Sequence, residues 1–305
     1  MTLRLKRLRT LRLRSSGEAG RSRHISAASG PVPVGDRLYV IADDELHLGV
    51  FPAKGTGAGS LIRLLPGELP KGPKKRKASK ADFEVLVLLP KFAGCPHGAL
   101  LALGSGSRPN RRRGVLVPLD RSGVATVAVR VIDLAGLYAM LEEQLGTLNL
   151  EGAVVLGQRL CLLNRGRSLK GGNACVFVNL RAVQRSIARS NAITALPFKV
   201  RYHDLGTAHG VPLGFTDGAA LPDGSLVFTA VAENSEDSYQ DGPCVGAAVG
   251  VIRPDGEVDW MRKLKPVRKV EGIALRPGSR GRGLLLVSDA DDAAVPAALY
   301  AAELE

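Results

Sequence analysis

Residues 271–275 read EGIAL, and residues 284–291 read LLLVSDAD. An acidic residue and a glycine open an apolar run; a turn later, a second run starts at Leu and ends in polar residues. Four further copies precede it. They are Ser29-Gly30 before LYVIADDE (38–45), Asp82-Phe83-Glu84 with EVLVLL before LLALGSGS (100–107), Glu151-Gly152 in EGAVVL before LCLLNRGR (160–167), and Asp217-Gly218 in DGAAL before LVFTAVAE (226–233). The heads Ser29, Glu84, Glu151, Asp217 and Glu271 lie 55, 67, 66 and 54 residues apart. A four-stranded propeller blade takes about 40–50 residues, so each interval holds one blade and its loops. The repeat predicts an all-β chain: one five-bladed β-propeller domain over residues 1–305, four strands per blade, with blades starting near 29, 84, 151, 217 and 271.

The remaining strands follow each pair. LHLGVF and LIRLL complete the first blade, VLVPL and TVAVRVI the second, ACVFVNL and FKVRYHDL the third, AAVGVI and VDWMRKL the fourth. TVAVRVI alternates with period 2. Pro222-Asp223-Gly224 and Pro254-Asp255-Gly256 are hairpin turn sequences. The fifth copy has room for only three strands, the last being ALYAAEL. The alternating stretch LRLKRLRTLRL (3–13) is read as the fourth, closing the ring with its Leu residues inward and its Arg residues in solvent. Closure removes the exposed edges that invite aggregation.

Composition agrees with this reading. The chain has 305 residues, 45% of them hydrophobic, enough for a large core; 36 Gly and 18 Pro call for many turns. A single helix is expected, over Leu134–Leu145. The formal net charge is +13, concentrated in residues 1–23 and in KGPKKRKASK (71–80), read as a solvated arm and a solvated loop. Aromatic residues make up 4%, too few for base-stacking platforms, so nucleic acid is not the expected partner. No apolar run follows the basic N-terminus and none reaches membrane-span length, so no membrane partner and a cytoplasmic location are expected. Cys95, Cys161, Cys175 and Cys244 form no CxxC pair, which argues against zinc. Cys161 and Cys175 are placed across a hairpin from each other as free buried thiols.

Equivalent positions on the innermost strands of a propeller form a ring around its axis. Ser29, Glu84, Glu151, Asp217 and Glu271 would then converge. Like charges that close repel by several kcal/mol even at an effective dielectric of about 20, so either protons or a cation must offset them. An all-oxygen set without His or Cys suits a hard ion, and calcium, with its irregular shells of about 6–8 oxygens, before magnesium. Structural hydrogen-bonded carboxylates are the competing reading. The second run of each blade ends in Asp43, Asp44, Glu45, Ser105, Ser107, Arg108, Asn164, Arg165, Glu233, Asp289, Asp291 and Asp292. Asp43, Asn164, Glu233, Asp289 and Asp291, with Arg165 and Arg108, are candidates for a substrate pocket; the two guanidinium groups suit an anionic small molecule. Other motifs are weak. Neither the glycine-rich stretch 104–107 nor 166–172 has the Lys and helix of a P-loop. His97, His203 and His209 share no ligand spacing, and Glu233 with Asp237 and Asp241 forms a polar loop read as a lid or an exposed segment.

The head series resembles the central calcium ring of the calcium-activated apyrases, five-bladed propellers with Ser, Glu, Glu, Ser, Glu at their blade heads; here Asp217 stands at the fourth. ADFEVL, ALGSGS, LLNRG, FTAVAE, KVEGIAL and VSDADD resemble a bacterial propeller family of unknown function, distantly similar to the esterase-like phytase propellers. The resemblance implies fold and cation. The apyrase nucleotide-contacting motifs are absent, so no catalytic residue is carried over. Two functions stay open: a calcium-dependent hydrolase of phosphate or other anionic esters, and a non-catalytic scaffold with a structural cation.

Overall fold

The computed structural model describes residues 2–15, 22–70, 72–166, 172–234 and 242–304. Two short strands come first, β1 (Thr2–Arg4) and β2 (Lys6–Thr10). The first blade is β3 (Ala28–Val34), β4 (Arg37–Ala42), β5 (His47–Pro52) and β6 (Ser60–Arg63). Helix α1 (Pro73–Ser79) leads into the second, β7 (Phe83–Leu89), β8 (Ala99–Gly104), β9 (Arg113–Pro118) and β10 (Arg130–Asp133). After α2 (Ala135–Leu145) comes the third, β11 (Leu150–Leu156), β12 (Arg159–Asn164), β13 (Asn173–Asn179) and β14 (Phe198–His203), with α3 (Leu180–Ser190) between its last two strands. A small hairpin, β15 (Thr207–Ala208) and β16 (Val211–Pro212), precedes the fourth blade, β17 (Gly214–Ala220), β18 (Leu226–Glu233), β19 (Cys244–Ile252) and β20 (Val258–Lys265). The fifth is β21 (Val270–Leu275), β22 (Gly283–Ser288) and β23 (Ala298–Glu303), completed by β2. Each blade is an antiparallel meander. The inner strands touch in a closed cycle, β3 to β7, β11, β17, β21 and back to β3, which makes the chain a five-bladed β-propeller.

The core lies between blades, not inside them. Alternate residues of each sheet face the next blade, so Tyr39, Phe83 and Val115 share one fully buried cluster and Phe215, Phe228 and Leu163 another. At four of the five heads the glycine that follows is what allows the inner strands so close; Val85 follows Glu84. A Cβ on Gly272 would come within 1.7 Å of the Ser29 carbonyl oxygen, and one on Gly152 within 2.8 Å of Asp217 Cα. The Pro-Asp-Gly turns are present, with Gly224 and Gly256 at φ 86° and 88°.

The N-terminal segment does more than close one blade. β1 runs parallel to β20 and becomes a fifth strand of blade four, β2 pairs antiparallel with β23, and Leu13 bridges Gly59 of blade one. Its expected alternation fails midway. The register with β23 slips between Arg7 and Arg9, which turns Leu8 outward (41% exposed) and Arg9 inward (7%). Arg9 then donates to the carbonyls of Pro52 (2.5 Å) and Gly55 (3.1 Å) and lies over the Phe51 ring, sealing the seam between blades five and one.

Among the described residues three α-helices stand where one was expected. α2 matches its expectation. α3 was hidden by the charges of LRAVQRSIARS; its buried residues Leu180, Val183, Gln184 and Ile187 nevertheless follow helical spacing, and the Asn179 side chain caps Ala182 N at 3.0 Å. α1 takes up residues 73–79 of the basic run, and the last residue of that run, Lys80, is buried, so the run is not simply a solvated loop. TVAVRVI becomes strand only from Arg130, after a turn that leaves Val127 91% exposed. Cys161 and Cys175 sit on adjacent strands but diagonally, since Cys161 pairs with Phe177 and Cys175 with Leu163. All four cysteines are free thiols.

Candidate functional site

Every inner strand carries a register slip at its head. The slips fall between Ala28 and Pro31, Phe83 and Val85, Leu150 and Gly152, Phe215 and Asp217, and Val270 and Gly272. An extra residue in one strand re-aims its side chain. The re-aimed residues are Ser29, Glu84, Glu151, Thr216 and Glu271. Ser29, Glu84, Glu151 and Glu271 line one cavity of about 290 Å³.

Asp217 is not part of this set. It lies one residue past the bulge, and its Oδ2 accepts the Ile273 amide of blade five at 2.9 Å. Burial holds its carboxyl well above the ordinary range. Thr216 takes the bulge position and donates to the Val270 carbonyl at 2.8 Å. Fourth-blade chemistry here ties blades together.

Of the proposed pocket residues, Asp43, Arg108, Arg165, Glu233, Asp289 and Asp291 line the cavity. Asn164 does not: its Oδ1 accepts Asn149 N (2.8 Å) and its Nδ2 donates to Thr147 O (3.3 Å), fixing the loop before β11. Asp44 and Glu45 also face elsewhere, toward Arg76 (3.7 Å) and His47 (3.6 Å). Residues 237 and 241 of the polar loop, and most of the glycine-rich stretch 166–172, lie outside the described residues.

The electrostatics rest on cations that the sequence reading passed over or used differently. Lys80 lies between Asp43 and Asp82, 2.8 Å from Asp82 Oδ1. Arg165 meets Glu233 Oε2 at 2.7 Å and Glu151 Oε1 at 3.8 Å. Lys269 meets Asp291 (2.5 Å), Glu233 (2.9 Å), Glu271 (3.6 Å) and Asp289 (4.0 Å). Arg111 grips Asp82 at 2.6 Å. Burial works to lower the pKa of Lys80, Arg165 and Lys269, but the surrounding carboxylates outweigh it and hold all three above their ordinary values. Lys269 stands two residues before Glu271 inside KVEGIAL, and Lys80 ends the basic run; neither spot signals a pocket, because Lys is ordinarily exposed.

Nine acidic and six basic side chains line the cavity, so internal ion pairs do not neutralise it. The excess appears in the ring. Burial raises Glu84 and Glu271 well above the usual range and Glu151 to about 7, and it raises Asp289 to about 7. Glu84 accepts the Ser29 hydroxyl at 2.8 Å and Glu151 the Asn149 amide at 2.5 Å. Glu271 is different: among the described residues, neither buried carboxylate oxygen has a hydrogen-bond partner. Asp43, Asp82 and Glu84 bring carboxylate oxygens within 4.8 Å of one another. An oxygen-only set with an orphaned carboxylate and surplus negative charge fits a hard cation. Lys80, at Asp43 and Asp82, already holds one part of that field.

The match that decides the family covers residues 24–304. The chain belongs to the family described as "Family of unknown function (DUF6929)". No curated protein matches it significantly. Similar solved structures include Myxococcus xanthus glutaminyl cyclase, 13% identical with all of both chains covered and a TM-score of 0.51. An α-L-arabinofuranosidase from Podospora anserina is 11% identical over 99% of this chain and 96% of that one, TM-score 0.49. A gluconolactonase from Xanthomonas campestris is 16% identical over 62% of this chain and 50% of that one, TM-score 0.33. At 13% identity the cyclase speaks to the fold alone. Among the described residues no helix is long and apolar enough to cross a membrane.

Proposed function

We propose that this propeller binds a hard divalent cation, calcium before magnesium, against Ser29, Glu84, Glu151 and Glu271, and hydrolyses a phosphate or other anionic ester at the cavity above it. The observation that carries the reading is Glu271, a buried carboxylate neither of whose oxygens accepts a hydrogen bond among the described residues, with only the Lys269 ammonium at 3.6 Å, in a cavity lined by more acidic than basic side chains. When bound, the cation would supply Lewis-acid polarisation of the ester oxygen. Arg108 faces the cavity and suits an anionic group, whereas Arg111 is committed to Asp82 and Ser107. Arg165, given that role from sequence, is committed to Glu233 and Glu151 and serves to hold those carboxylates in place. The apyrase and phytase likeness belongs to the same proposal, as does a cytoplasmic location, which suits four free thiols.

A second reading is a non-catalytic scaffold with a structural cation. It is favoured by the way Lys80, Arg165 and Lys269 each join two neighbouring blades. One experiment separates the two. Calcium is titrated into chelator-treated protein while melting is followed, and turnover of aryl phosphates and esters is measured in the same samples. A calcium-dependent rise in Tm with calcium-dependent turnover supports the enzyme; the rise without turnover supports the scaffold; no rise sinks both.

A further inference from the structure

We propose that β14, the outer strand of blade three, is a docking edge for an extended acidic segment of a partner protein, which adds to the blade as a fifth strand. The sheet of blade three ends at β14. Among the described residues, no main-chain group of residues 198–203 hydrogen-bonds outside the ladder with β13. In an antiparallel pair every second residue of such a strand turns its N–H and C=O away from its neighbour, so β14 presents an open row of donors and acceptors.

The other outer edges are filled or blunted. β20 is covered by β1, and β2 carries the register slip at Arg7. β6 and β10 have four residues each against six in β14, and the bridges Leu13 to Gly59 and Asp133 to Ala192 lie at their ends. β14 pairs with β13 in unbroken register. The seat of β1 on β20 also shows that a blade of this propeller has room for a fifth strand on its outer side.

The two faces of β14 specify the incoming strand. Lys199 and Arg201, both exposed, stand on one face; Phe198, Val200 and Tyr202 stand on the other, Tyr202 being 51% exposed. The cationic face borders a cavity of about 250 Å³ whose wall holds Arg159, Lys199, Arg201 and Arg253 against one acid, Asp255. Arg201 donates to the Asp255 carbonyl, and a guanidinium has further donors to offer a carboxylate. Alternate side chains of an extended chain repeat at about 6.6–6.8 Å, which is also the interval between Lys199 and Arg201 along their strand. A segment in which acids alternate with apolar residues therefore sets an acid beside each cation and an apolar side chain beside Val200 and Tyr202. The formal net charge of +13 draws such a segment in. Basic residues on an edge repel a second copy of the same edge; toward an acidic strand they attract, so the main chain supplies the pairing and the charges choose the partner.

The test follows, by fluorescence anisotropy, the binding of a labelled peptide of about eight residues, Glu alternating with Val, to the full-length protein. Saturable binding is expected, and a peptide of the same composition with its Glu residues in one block should bind about tenfold more weakly. N-methylation of every second amide of the peptide is expected to abolish binding in one of the two alternate patterns and to be tolerated in the other, because only one set of amides faces β14. K199E/R201E should weaken binding about tenfold or more, since two attractive cross-strand pairs become repulsive. Absence of saturable binding, equal binding of the alternating and blocked peptides, indifference to both methylation patterns, or equal competition by a single-stranded oligonucleotide overturns the proposal. The methylated peptides leave the protein unaltered, so they decide the matter even where the double variant fails to fold.

Discussion

Arg165 of the third blade and Glu233 of the fourth meet at 2.7 Å with only 8% of either side chain exposed. The pair closes one seam of the channel, and Lys269 extends the same network into blade five through Glu233. Removing one partner of such a pair strands the other's charge. R165M is expected to lose about 3 kcal/mol of stability in urea unfolding, and R165M/E233Q to recover part of that loss. A loss below about 1 kcal/mol in R165M would show that the seam is held by other contacts.

The ring carboxylates make stability depend on pH in an unusual direction. Their folded pKa values are raised, Glu151 and Asp289 to about 7. The folded protein therefore binds more protons than the unfolded chain across the interval from ordinary carboxylate values to about 7. The stabilisation is complete below that interval and is lost as pH rises through it. Melts in chelator are expected to fall between about pH 5 and pH 8, and saturating calcium to flatten the slope. A Tm that climbs with pH in chelator contradicts the assignment.

Glu271 and Asp217 should separate cleanly. Glu271→Gln removes an unpartnered buried acid and leaves Lys269 its contacts with Glu233 and Asp291. Without calcium E271Q is expected to melt at or above the parent temperature; with calcium it should lack the gain of about 2.7 kcal/mol that a ligand gives at a hundredfold excess over Kd. Asp217→Asn keeps an acceptor for Ile273 N and is expected to change stability by about 1 kcal/mol or less while retaining the calcium response. Loss of that response in D217N would restore Asp217 to the ring.

The arm offers a packing test. Leu3 is 3% exposed and sits with Val249 and Leu264 in the core between blades four and five. L3A is expected to cost about 2–3 kcal/mol, whereas L8A, at the outward-turned position, should be close to neutral in the same thermal unfolding assay. Equal effects would mean that the register slip at Arg7 is absent.

Much of this could be read from the chain. Small or acidic heads before apolar runs, four of the five followed by Gly, are five copies of one requirement, an inner strand pressed against its neighbour, and repetition made them visible. What escaped was whatever depends on a shift of one residue. The bulge at Thr216 moves Asp217 off the ring, and the slip at Arg7 exchanges the faces of Leu8 and Arg9; neither leaves a mark in residue type. Lys80 and Lys269 escaped for another reason. A lysine declares itself buried only through partners brought from elsewhere in the ring; Asp43, from blade one, and Glu233, from blade four, are remote from Lys80 and Lys269 in sequence. Helix α3 was legible in principle through Asn179 and the spacing of Leu180, Val183 and Ile187, but its Arg residues masked the stripe.

The arm also orders events in time. Arg7 must find Tyr300, and Thr2 must find Lys263, so the strand pairings of a segment translated before all five blades wait for the fourth and the fifth of them to emerge. Throughout synthesis the growing chain carries a loose basic strand and an unpaired edge. The circle shuts only when the two are joined, and any tether that holds residues 2–10 away leaves a finished sequence with an open ring.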